Sequence, residues 1–292
     1  MKNIFLLITA ILCGFSAFSQ EIIKLYPAQV PNAKPTEKVE TFDRGMYRNI
    51  TVPTLEYIKP EKPNGTAVIV IAGGGYAVIV YNGEGLGTAK SLAEKGISAF
   101  VLKYRLPSDE IMQDKKIGPL QDAQQAIKYL RENAEKYGID KNKIGIMGFS
   151  AGGHLASTAA THFEKSYIEN PQNTNLRPDF QILVYPVITM QDALTHGGSR
   201  DALIGKTPSQ EDKDLFSNEL QVKANTPITW LTHAADDKVV DVDNSIQYFE
   251  KLRKNKVDVE MHIFPKGDHG FIFRQKGWTD PLFDWMKRNN LL

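Results

Sequence analysis

The sequence predicts an α/β fold, built on a mostly parallel central sheet with helices on both faces. The first observation is a set of continuous apolar runs, such as residues 67–71, 97–102 and 180–184, which suit strands covered on both sides. The second is that stretches with helical spacing of apolar residues alternate with these runs. Strands that alternate with helices predict a parallel sheet with a crossover helix between successive strands.

The first 19 residues have the pattern of a secretory signal peptide. Lys2 supplies the positive start, residues 4–12 form the apolar stretch, and Ala17 and Ser19 are small residues at the two positions that signal peptidase reads. Cleavage after Ser19 would remove the only cysteine, so the mature protein would contain no disulfide. The sequence therefore predicts a secreted or periplasmic chain without membrane attachment once the signal is cleaved.

Two alternatives to a cleaved signal stay open. One is a membrane anchor, although residues 4–18 provide 15 positions and a membrane span needs about 20. The other is a lipoprotein with Cys13 as the lipidated residue. The bulky Leu12 disfavours it, because such signals prefer a small side chain at that position.

Beyond the signal, the sequence predicts an extended lead-in and one catalytic domain. Residues 20–45 are polar and contain prolines, which favours an extended segment over a folded unit. The domain covers 46–292 and opens with an alternating stretch over 49–58, whose Pro53 suits an antiparallel strand at the sheet edge. Residues 186–227 interrupt the alternation with weak periodicity. A loop of that length is usually functional, so we expect an insertion over the active-site edge.

The other elements alternate along the chain from residue 67 onward. Gly96 and Gly138 end the first two helices, because glycine readily adopts the left-handed conformation found there. The predicted strands lie at 67–71, 97–102, 144–147, 180–184, 228–231 and 257–264, and the predicted helices at 85–95, 119–137, 243–255 and 278–289.

The charge balance argues against two classes of partner. The 292 residues carry 35 basic and 34 acidic side chains, a net charge of +1, and no basic stretch. Nucleic acids and anionic membranes both require a basic surface, so we expect neither as a partner. The sequence leaves the oligomeric state open.

The central motif lies over residues 143–158, where an apolar strand turns sharply into a helix of small residues. The turn reads Gly148-Phe149-Ser150-Ala151-Gly152, and the serine of such a Gly-x-Ser-x-Gly elbow presents its hydroxyl to a cleft. A side chain in place of either glycine would collide with a neighbouring element. We therefore expect Ser150 to be a nucleophile; a glycine-rich turn with an incidental serine is the alternative.

A nucleophilic serine needs a base, and His269 is the predicted one. It lies in a loop after the last predicted strand, and flanking glycines let its ring approach the cleft. A histidine on the protein surface is the alternative. The other histidines lie on the helix after the elbow, inside a strand, in the insertion, or before the acid candidates: His154, His162, His262, His196 and His233.

Asp237 is the predicted acid, because it follows a strand end and precedes the histidine, as the usual chain order requires. Val240 is expected to anchor its loop in the core. The adjacent Asp236 is expected to cap the turn or to face solvent. Asp268 is a further candidate, but it lies too close in sequence to His269 to orient that ring easily.

Attack on a carbonyl also needs backbone donors for the oxyanion that forms. The N–H of Ala151 can be one of them, and we expect the others from Gly74 and Gly75, in the loop after the first buried strand. A flexible turn or a phosphate loop is the alternative, but no lysine-serine/threonine follows to make a phosphate loop. The dispersed histidines and the absence of an HExxH motif predict no metal site, and no cofactor is expected.

Arg105 follows another strand end, and we interpret it as structural. We expect it to pair with Asp122 at the start of the next helix and to support the floor beneath the elbow.

Seven segments carry a resemblance to a known family: AGGGYAVI, KYRLP, PLQDAQQAIKYLREN, GFSAGGHLAS, HGGSRDALIG, THAADDKVV and FPKGDHGF. On these motifs the chain resembles the α/β-hydrolase superfamily, and in particular the secreted bacterial carbohydrate esterases grouped with acetylxylan esterases. The resemblance implies a nucleophile elbow, a triad of Ser150, Asp237 and His269, and acetyl esters on plant polysaccharides as substrate. Ala72 and Asp241 depart from the family pattern, which often has histidine and proline at these positions.

The sequence therefore predicts a secreted serine esterase that deacetylates xylan or a similar glycan through an acyl-enzyme. A general carboxylesterase or lipase with the same residues in the same roles is one alternative. A non-catalytic binding protein on the same fold is another. Whether the acyl group is acetyl or feruloyl, and which glycan carries it, stays open.

Overall fold

The computed structural model describes residues 20–292, so the predicted signal peptide over 1–19 and Cys13 lie outside the described residues. The described chain forms ten strands, which in order are β1 (Gln20–Lys24), β2 (Thr41–Asp43), β3 (Met46–Arg48), β4 (Thr54–Ile58), β5 (Ala67–Ile71), β6 (Ser98–Lys103), β7 (Ile144–Phe149), β8 (Phe180–Val184), β9 (Ile228–Ala234) and β10 (Val259–Phe264). Its α-helices are α1 (Gly87–Ala93), α2 (Gly118–Glu132), α3 (Ser150–Thr161), α4 (Gly197–Ile204), α5 (Gln210–Phe216), α6 (Asp243–Lys254) and α7 (Asp280–Arg288).

Eight strands form one sheet in the order β1-β4-β6-β5-β7-β8-β9-β10, and β2 pairs with β3 as a separate hairpin. The strands from β6 to β10 run parallel, whereas β4 is antiparallel to both of its neighbours. Every residue of β5, β7 and β8 is buried, because helices and loops cover both faces of the sheet. The predicted mostly parallel, doubly covered sheet is confirmed.

The prediction of an edge strand over 49–58 is wrong in its position. The strand β4 is indeed antiparallel, but β1 from the lead-in lies beyond it and forms the edge. The sequence of β1 alternates in the way that an edge strand requires, since Ile23 is 7% exposed and Ile22 is 70% exposed. Pro53 precedes β4 and therefore leaves the pairing on both sides intact.

Several element boundaries differ from those predicted. A π-helical turn over Tyr81–Leu86 precedes α1, where one helix over 85–95 was expected. Two strands, β7 and β9, continue two and three residues further than predicted, to Phe149 and Ala234. Within residues 20–292 no helix combines the length and apolarity that a membrane crossing needs.

The segment 186–227 contains α4, α5 and a short 3-10 turn over Asn218–Leu220. These helices have seven or eight residues, too few to produce a clear periodic signal in the sequence. The segment packs beside α3, where Asn218 Nδ2 donates to the hydroxyl of Ser157 at 2.7 Å.

The predicted ion pair between Arg105 and Asp122 is confirmed. Both side chains are fully buried, and Nη2 of Arg105 lies 2.8 Å from Oδ1 of Asp122. The lead-in completes the network, because the hydroxyl of Tyr26 donates to Asp122 at 3.0 Å and Arg105 donates to the carbonyl of Pro31 at 2.7 Å.

Candidate active site

Ser150 lies at the sharp turn between β7 and α3, at the carboxyl edge of the sheet. Its φ is 52°, in the left-handed region that non-glycine residues rarely adopt. A Cβ on Gly148 would lie 2.2 Å from the carbonyl oxygen of Gly152, and one on Gly152 would lie 2.3 Å from that of Ile71. The steric reason predicted for these two glycines is therefore confirmed.

Three side chains from separate loops meet at this edge: those of Ser150, His269 and Asp237. Nε2 of His269 lies 3.0 Å from Oγ of Ser150, and Nδ1 lies 2.8 Å from Oδ2 of Asp237. An ionised carboxylate only accepts hydrogen bonds, so Nδ1–H donates to Asp237 and Nε2 accepts from the serine hydroxyl. The structure thus brings together the residues that the sequence predicted as nucleophile, base and acid.

The carboxylate of Asp237 is fully buried and accepts from several donors. Oδ1 accepts from the backbone N–H of Val239 and of Val240, at 2.9 and 3.0 Å. Oδ2 also lies 3.2 Å from Nε2 of His233. Burial raises the pKa of Asp237, but the hydrogen bonds from His233, His269 and Val240 outweigh burial and hold that pKa well below its usual value. Asp237 is therefore ionised at neutral pH.

The neighbouring aspartates connect the loop of the acid to the loop of the histidine. Oδ1 of Asp236 accepts from the N–H of Asp268 at 2.8 Å. Oδ1 of Asp268 accepts in turn from the N–H of Lys238 at 3.0 Å and of His269 at 2.9 Å. In the described part of the chain, neither Asp236 nor Asp268 forms a hydrogen bond with the imidazole of His269. Of the three candidate acids, Asp237 is the one that contacts the ring.

The loop after β5 presents its backbone towards Ser150. Gly74 has a φ of 125°, and a Cβ there would lie 2.3 Å from the carbonyl oxygen of Val78, so a side chain does not fit. Within residues 20–292, the backbone N–H groups of Gly74 and Gly75 donate no hydrogen bond to another residue. The N–H of Ala151 lies in the first turn of α3, where a helix has no internal acceptor. These three amides are free to bind an oxyanion.

The next residue of this loop, Tyr76, is anchored on α3. Its hydroxyl donates to Nδ1 of His154 at 2.8 Å, and Nε2–H of His154 donates to the carbonyl of Phe216 at 2.8 Å. Burial lowers the pKa of His154 to about 4, which keeps the ring neutral and able to accept. His154 therefore holds the loop and does not reach Ser150.

His196, from the segment 186–227, lies beside the same loop. Its Nδ1 accepts from Ser199 at the start of α4, at 2.8 Å from the hydroxyl oxygen. Its Cε1 lies 3.9 Å from the position that a Cβ on Gly75 would occupy. Burial lowers the pKa of His196, and a positive charge on His269 lowers it further to a lesser degree. The ring of His196 is therefore neutral at neutral pH. The segment thus reaches the rim of the site through this side chain.

The sequence assigned no role in the active site to three residues that lie around it: His233, Glu84 and Tyr185. His233 was set aside because it precedes the acid, yet its place four residues before Asp237, at the end of β9, was a usable signal. Tyr185 directly follows β8 and so also lies at the carboxyl edge. Glu84 stands between two glycines, which is a weak signal because surface turns share that pattern.

Asp241, one of the two departures from the family pattern, caps the start of α6. Its Oδ1 accepts from the N–H of Asp243 at 2.9 Å, and the residue is exposed. Within residues 20–292, no three side chains of histidine, cysteine, aspartate or glutamate stand close enough together to hold a metal ion.

This arrangement can support acyl transfer. The imidazole can take the proton of the serine hydroxyl as it attacks a carbonyl, and the buried carboxylate can stabilise the imidazolium that forms. An oxyanion also needs donors that are already in place, and the amides of the loop after β5 and of the start of α3 are the candidates at this edge of the sheet.

Comparison with known proteins supplies independent information. The profile of the family BD-FAE matches residues 55–252. The chain is 38% identical over 235 residues to endo-1,4-beta-xylanase B of Butyrivibrio fibrisolvens, and 37% identical over 218 residues to an acetylxylan esterase of Xylanibacter ruminicola. These alignments cover 78% and 73% of this chain but 36% and 42% of those two proteins, so the chain spans less than half the length of either.

A solved structure matches almost the whole chain. It is that of an acetyl ester-xyloside bifunctional hydrolase from Caldicellulosiruptor lactoaceticus, with 34% sequence identity and a TM-score of 0.78. The alignment covers 93% of this chain and 97% of that one.

Proposed function

Because the chain belongs to the BD-FAE family of α/β-hydrolases, we propose that it is a secreted serine esterase that removes acetyl groups from xylan or a similar plant glycan. The observation that carries the proposal is the 3.0 Å contact between Oγ of Ser150 and Nε2 of His269, with Asp237 at 2.8 Å on the other side of the ring. A serine hydroxyl at neutral pH is a weak nucleophile, and this contact supplies the base that activates it.

In the proposed reaction, Oγ of Ser150 attacks the ester carbonyl while its proton passes to Nε2 of His269. The negative charge that develops on the carbonyl oxygen is bound by the amides of Gly74, Gly75 and Ala151. The imidazolium then gives its proton to the departing sugar hydroxyl, which leaves an acetyl-enzyme. A water molecule then gives its proton to the same imidazole and attacks the acetyl carbon. The bond from that carbon to Oγ of Ser150 breaks, Oγ takes the proton back from His269, and acetate is released.

The roles of the three charged or titrating groups follow from their surroundings. Asp237 remains ionised because its carboxylate is held by several donors, so it can orient His269 and stabilise its charged form at neutral pH. His269 is 22% exposed, whereas the side chain of Asp237 is fully buried, so substrate can reach the base but not the acid.

Support for the substrate class comes from the relatives. One is an acetylxylan esterase, another is a xylanase, and a third is an acetyl ester-xyloside hydrolase. All three names refer to xylan or to a xyloside, and two of them state an acetyl ester. An acetylated oligo- or polysaccharide is therefore the proposed substrate of this chain.

Acetate release from acetylated xylan tests the proposal. The chain from residue 20 onward should release acetate, and Ser150→Ala should abolish release while the variant stays folded. A fluorophosphonate probe should label the unchanged protein at Ser150 only. Good turnover of p-nitrophenyl butyrate without acetate release from any acetylated saccharide would contradict the glycan substrate. Absence of both labelling and turnover would contradict the esterase itself and favour a binding protein.

Secretion has its own test. Expression of the full chain in a bacterial host should give a mature protein in the periplasm or medium whose sequence begins at Gln20, as cleavage after Ser19 requires. An intact Met1, or a lipidated Cys13, would contradict a cleaved signal peptide.

A further inference from the structure

Glu84 is a buried carboxylate directly beneath the oxyanion loop. It lies in the π-helical turn over Tyr81–Leu86 and is 5% exposed. Its Oε2 accepts from the N–H of Gly73 at 2.6 Å, and its Oε1 accepts from the hydroxyl of Tyr185 at 2.9 Å. Both partners donate, which is the arrangement that an ionised carboxylate needs.

Burying this carboxylate is costly, and packing does not explain it. In the described part of the chain, no lysine or arginine pairs with Glu84, whose partners are Gly73 and Tyr185. Burial raises the pKa of Glu84 above its usual value, and the hydrogen bonds from Gly73 and Tyr185 and a positive charge on His269 offset this only in part. Buried acidic groups without a cationic partner are rare in proteins and concentrate at functional sites. π-Helical turns show the same preference.

The first contact of Glu84 fixes the oxyanion loop against the nucleophile. Gly73 lies so close to the elbow that a Cβ there would be 2.8 Å from Cβ of Ser150 and 2.6 Å from the carbonyl oxygen of Phe149. Its N–H is directed into the carboxylate of Glu84, so the direction of the following peptide units is set at that point. The amides of Gly74 and Gly75 are the next two donors along the chain.

The second contact leads to the base. Tyr185 is fully buried, has a φ of 36°, and places its ring 4.7 Å from the ring of His269. Its buried hydroxyl needs an acceptor, and Glu84 provides it at 2.9 Å. One carboxylate therefore holds both the loop that binds the oxyanion and the ring that packs on the imidazole.

We propose that Glu84 is a positioning residue for the esterase reaction, which aligns the oxyanion loop with His269 and adds a negative charge that stabilises the imidazolium. This inference rests on the proposed function. The charge matters because His269 becomes positive when Ser150 attacks, and a fixed negative group nearby favours that form without rearrangement. Besides Glu84 and Tyr185, the titratable or charged groups around His269 are Asp237, Asp268, His196 and Arg274, and among these four only the two aspartates are negative.

The Glu84→Gln variant separates charge from shape. The amide oxygen can still accept from Gly73 and the amide nitrogen can still donate to the oxygen of Tyr185, so the fold is retained while the charge is lost. Glu56→Gln is the matched control, because Glu56 is also buried and accepts from a tyrosine hydroxyl, that of Tyr81, at 2.6 Å, but lies in β4. Tyr185→Phe removes one link and keeps the charge.

Turnover should be measured per active site, with a fluorophosphonate titration that counts only competent molecules. We expect Glu84→Gln to lower kcat for p-nitrophenyl acetate about 10-fold to 100-fold with little change in KM, since misplacement of reacting groups has effects of that size. Tyr185→Phe should lower kcat less, and Glu56→Gln should leave it unchanged. The acid limb of the kcat/KM profile should move to lower pH in Glu84→Gln alone, because only this variant lacks the negative charge that favours the imidazolium.

The outcomes are distinguishable. If the unchanged protein neither binds the probe nor hydrolyses esters, the proposed function is wrong. If it does both, and Glu84→Gln retains kcat per titrated site within about twofold with an unmoved acid limb, Glu84 is a structural residue and this inference is overturned. If Glu84→Gln unfolds and shows no titratable sites, Tyr185→Phe decides the positioning role. A lower kcat per titrated site with little change in KM supports it, and a kcat within about twofold of the unchanged protein overturns it.

Discussion

One carboxylate oxygen of Asp237 lies between two imidazoles, 2.8 Å from Nδ1 of His269 and 3.2 Å from Nε2 of His233. His233 is fully buried and is itself fixed, because Ser245 lies 2.8 Å from its Nδ1 and the carbonyl of Val240 lies 2.9 Å from its Nε2. The acid is therefore held in place by the interior of the domain as well as by His269.

The two adjacent aspartates should respond very differently to loss of charge. Asp237→Asn should lower kcat by about four orders of magnitude, because an amide cannot hold the tautomer that His269 needs. Asp236→Asn should cost about 1 kcal/mol of stability at most and little turnover, since its contact is with the N–H of Asp268. Assays of ester hydrolysis on both purified variants check this, and a larger loss in Asp236→Asn would overturn the assignment of the acid.

Glycine at the elbow should be irreplaceable for steric reasons. Gly152→Ala would place a Cβ 2.3 Å from the carbonyl oxygen of Ile71, and the backbone must move, at a cost of about 3 kcal/mol or more. Gly197→Ala is the matched control on another helix, where nothing lies within 4 Å of the added atom. Urea unfolding compares the two variants. Equal stability of both would show that the elbow relaxes more easily than its contacts suggest.

Arg105 should matter for stability and not for chemistry. Arg105→Met leaves Asp122 buried without its partner, so we expect a loss of about 3–5 kcal/mol in the free energy of unfolding. Turnover per titrated site should stay unchanged. Lys136→Met removes an ion pair with Glu21 that is about half exposed and should cost far less stability than Arg105→Met, because solvent screens such a pair. If Arg105→Met is stable but inactive, the residue has a catalytic role.

Acid should weaken the fold through His154. Its pKa is about 4 in the folded chain and about 6.5 when unfolded, so the unfolded chain binds more protons between these values and stability falls as pH decreases through this window. Between pH 7 and pH 5 this amounts to about 2 kcal/mol. His154→Gln keeps a donor and an acceptor for Phe216 and Tyr76 without titrating. The variant should lose about 2 kcal/mol less than the unchanged chain over that interval, as urea unfolding at the two pH values measures. Equal losses would contradict the prediction.

Most of the fold was predictable because its signals are local. Continuous apolar runs marked the strands β5 and β8, and the glycines around Ser150 marked the turn between strand and helix. The edge strand β1 was missed because five residues with one exposed and one buried isoleucine resemble any polar lead-in. The helices α4 and α5 were missed because, with eight and seven residues, they are too short to give a clear periodic signal.

The part of the candidate site that was predictable from the sequence is the part set by chain order and by the positions of strand ends. Residues that follow parallel strands must meet at one edge, which selected Ser150, Asp237 and His269 from many candidates. The same logic could not choose His233 as a second partner of Asp237, since that depends on the path of the loop. Nor could it place Glu84, whose contact with Tyr185 joins residues 101 positions apart.

By itself, the sequence determined the sheet, the elbow and the order of its reactive groups, because backbone requirements such as a left-handed serine between glycines are written into a few consecutive residues. Only the tertiary structure decided which carboxylate oxygen faces which imidazole, and that a buried glutamate joins the oxyanion loop to the tyrosine against His269. These contacts form between loops from different strands, and a distance of a few ångströms between such loops depends on the packing of the whole domain.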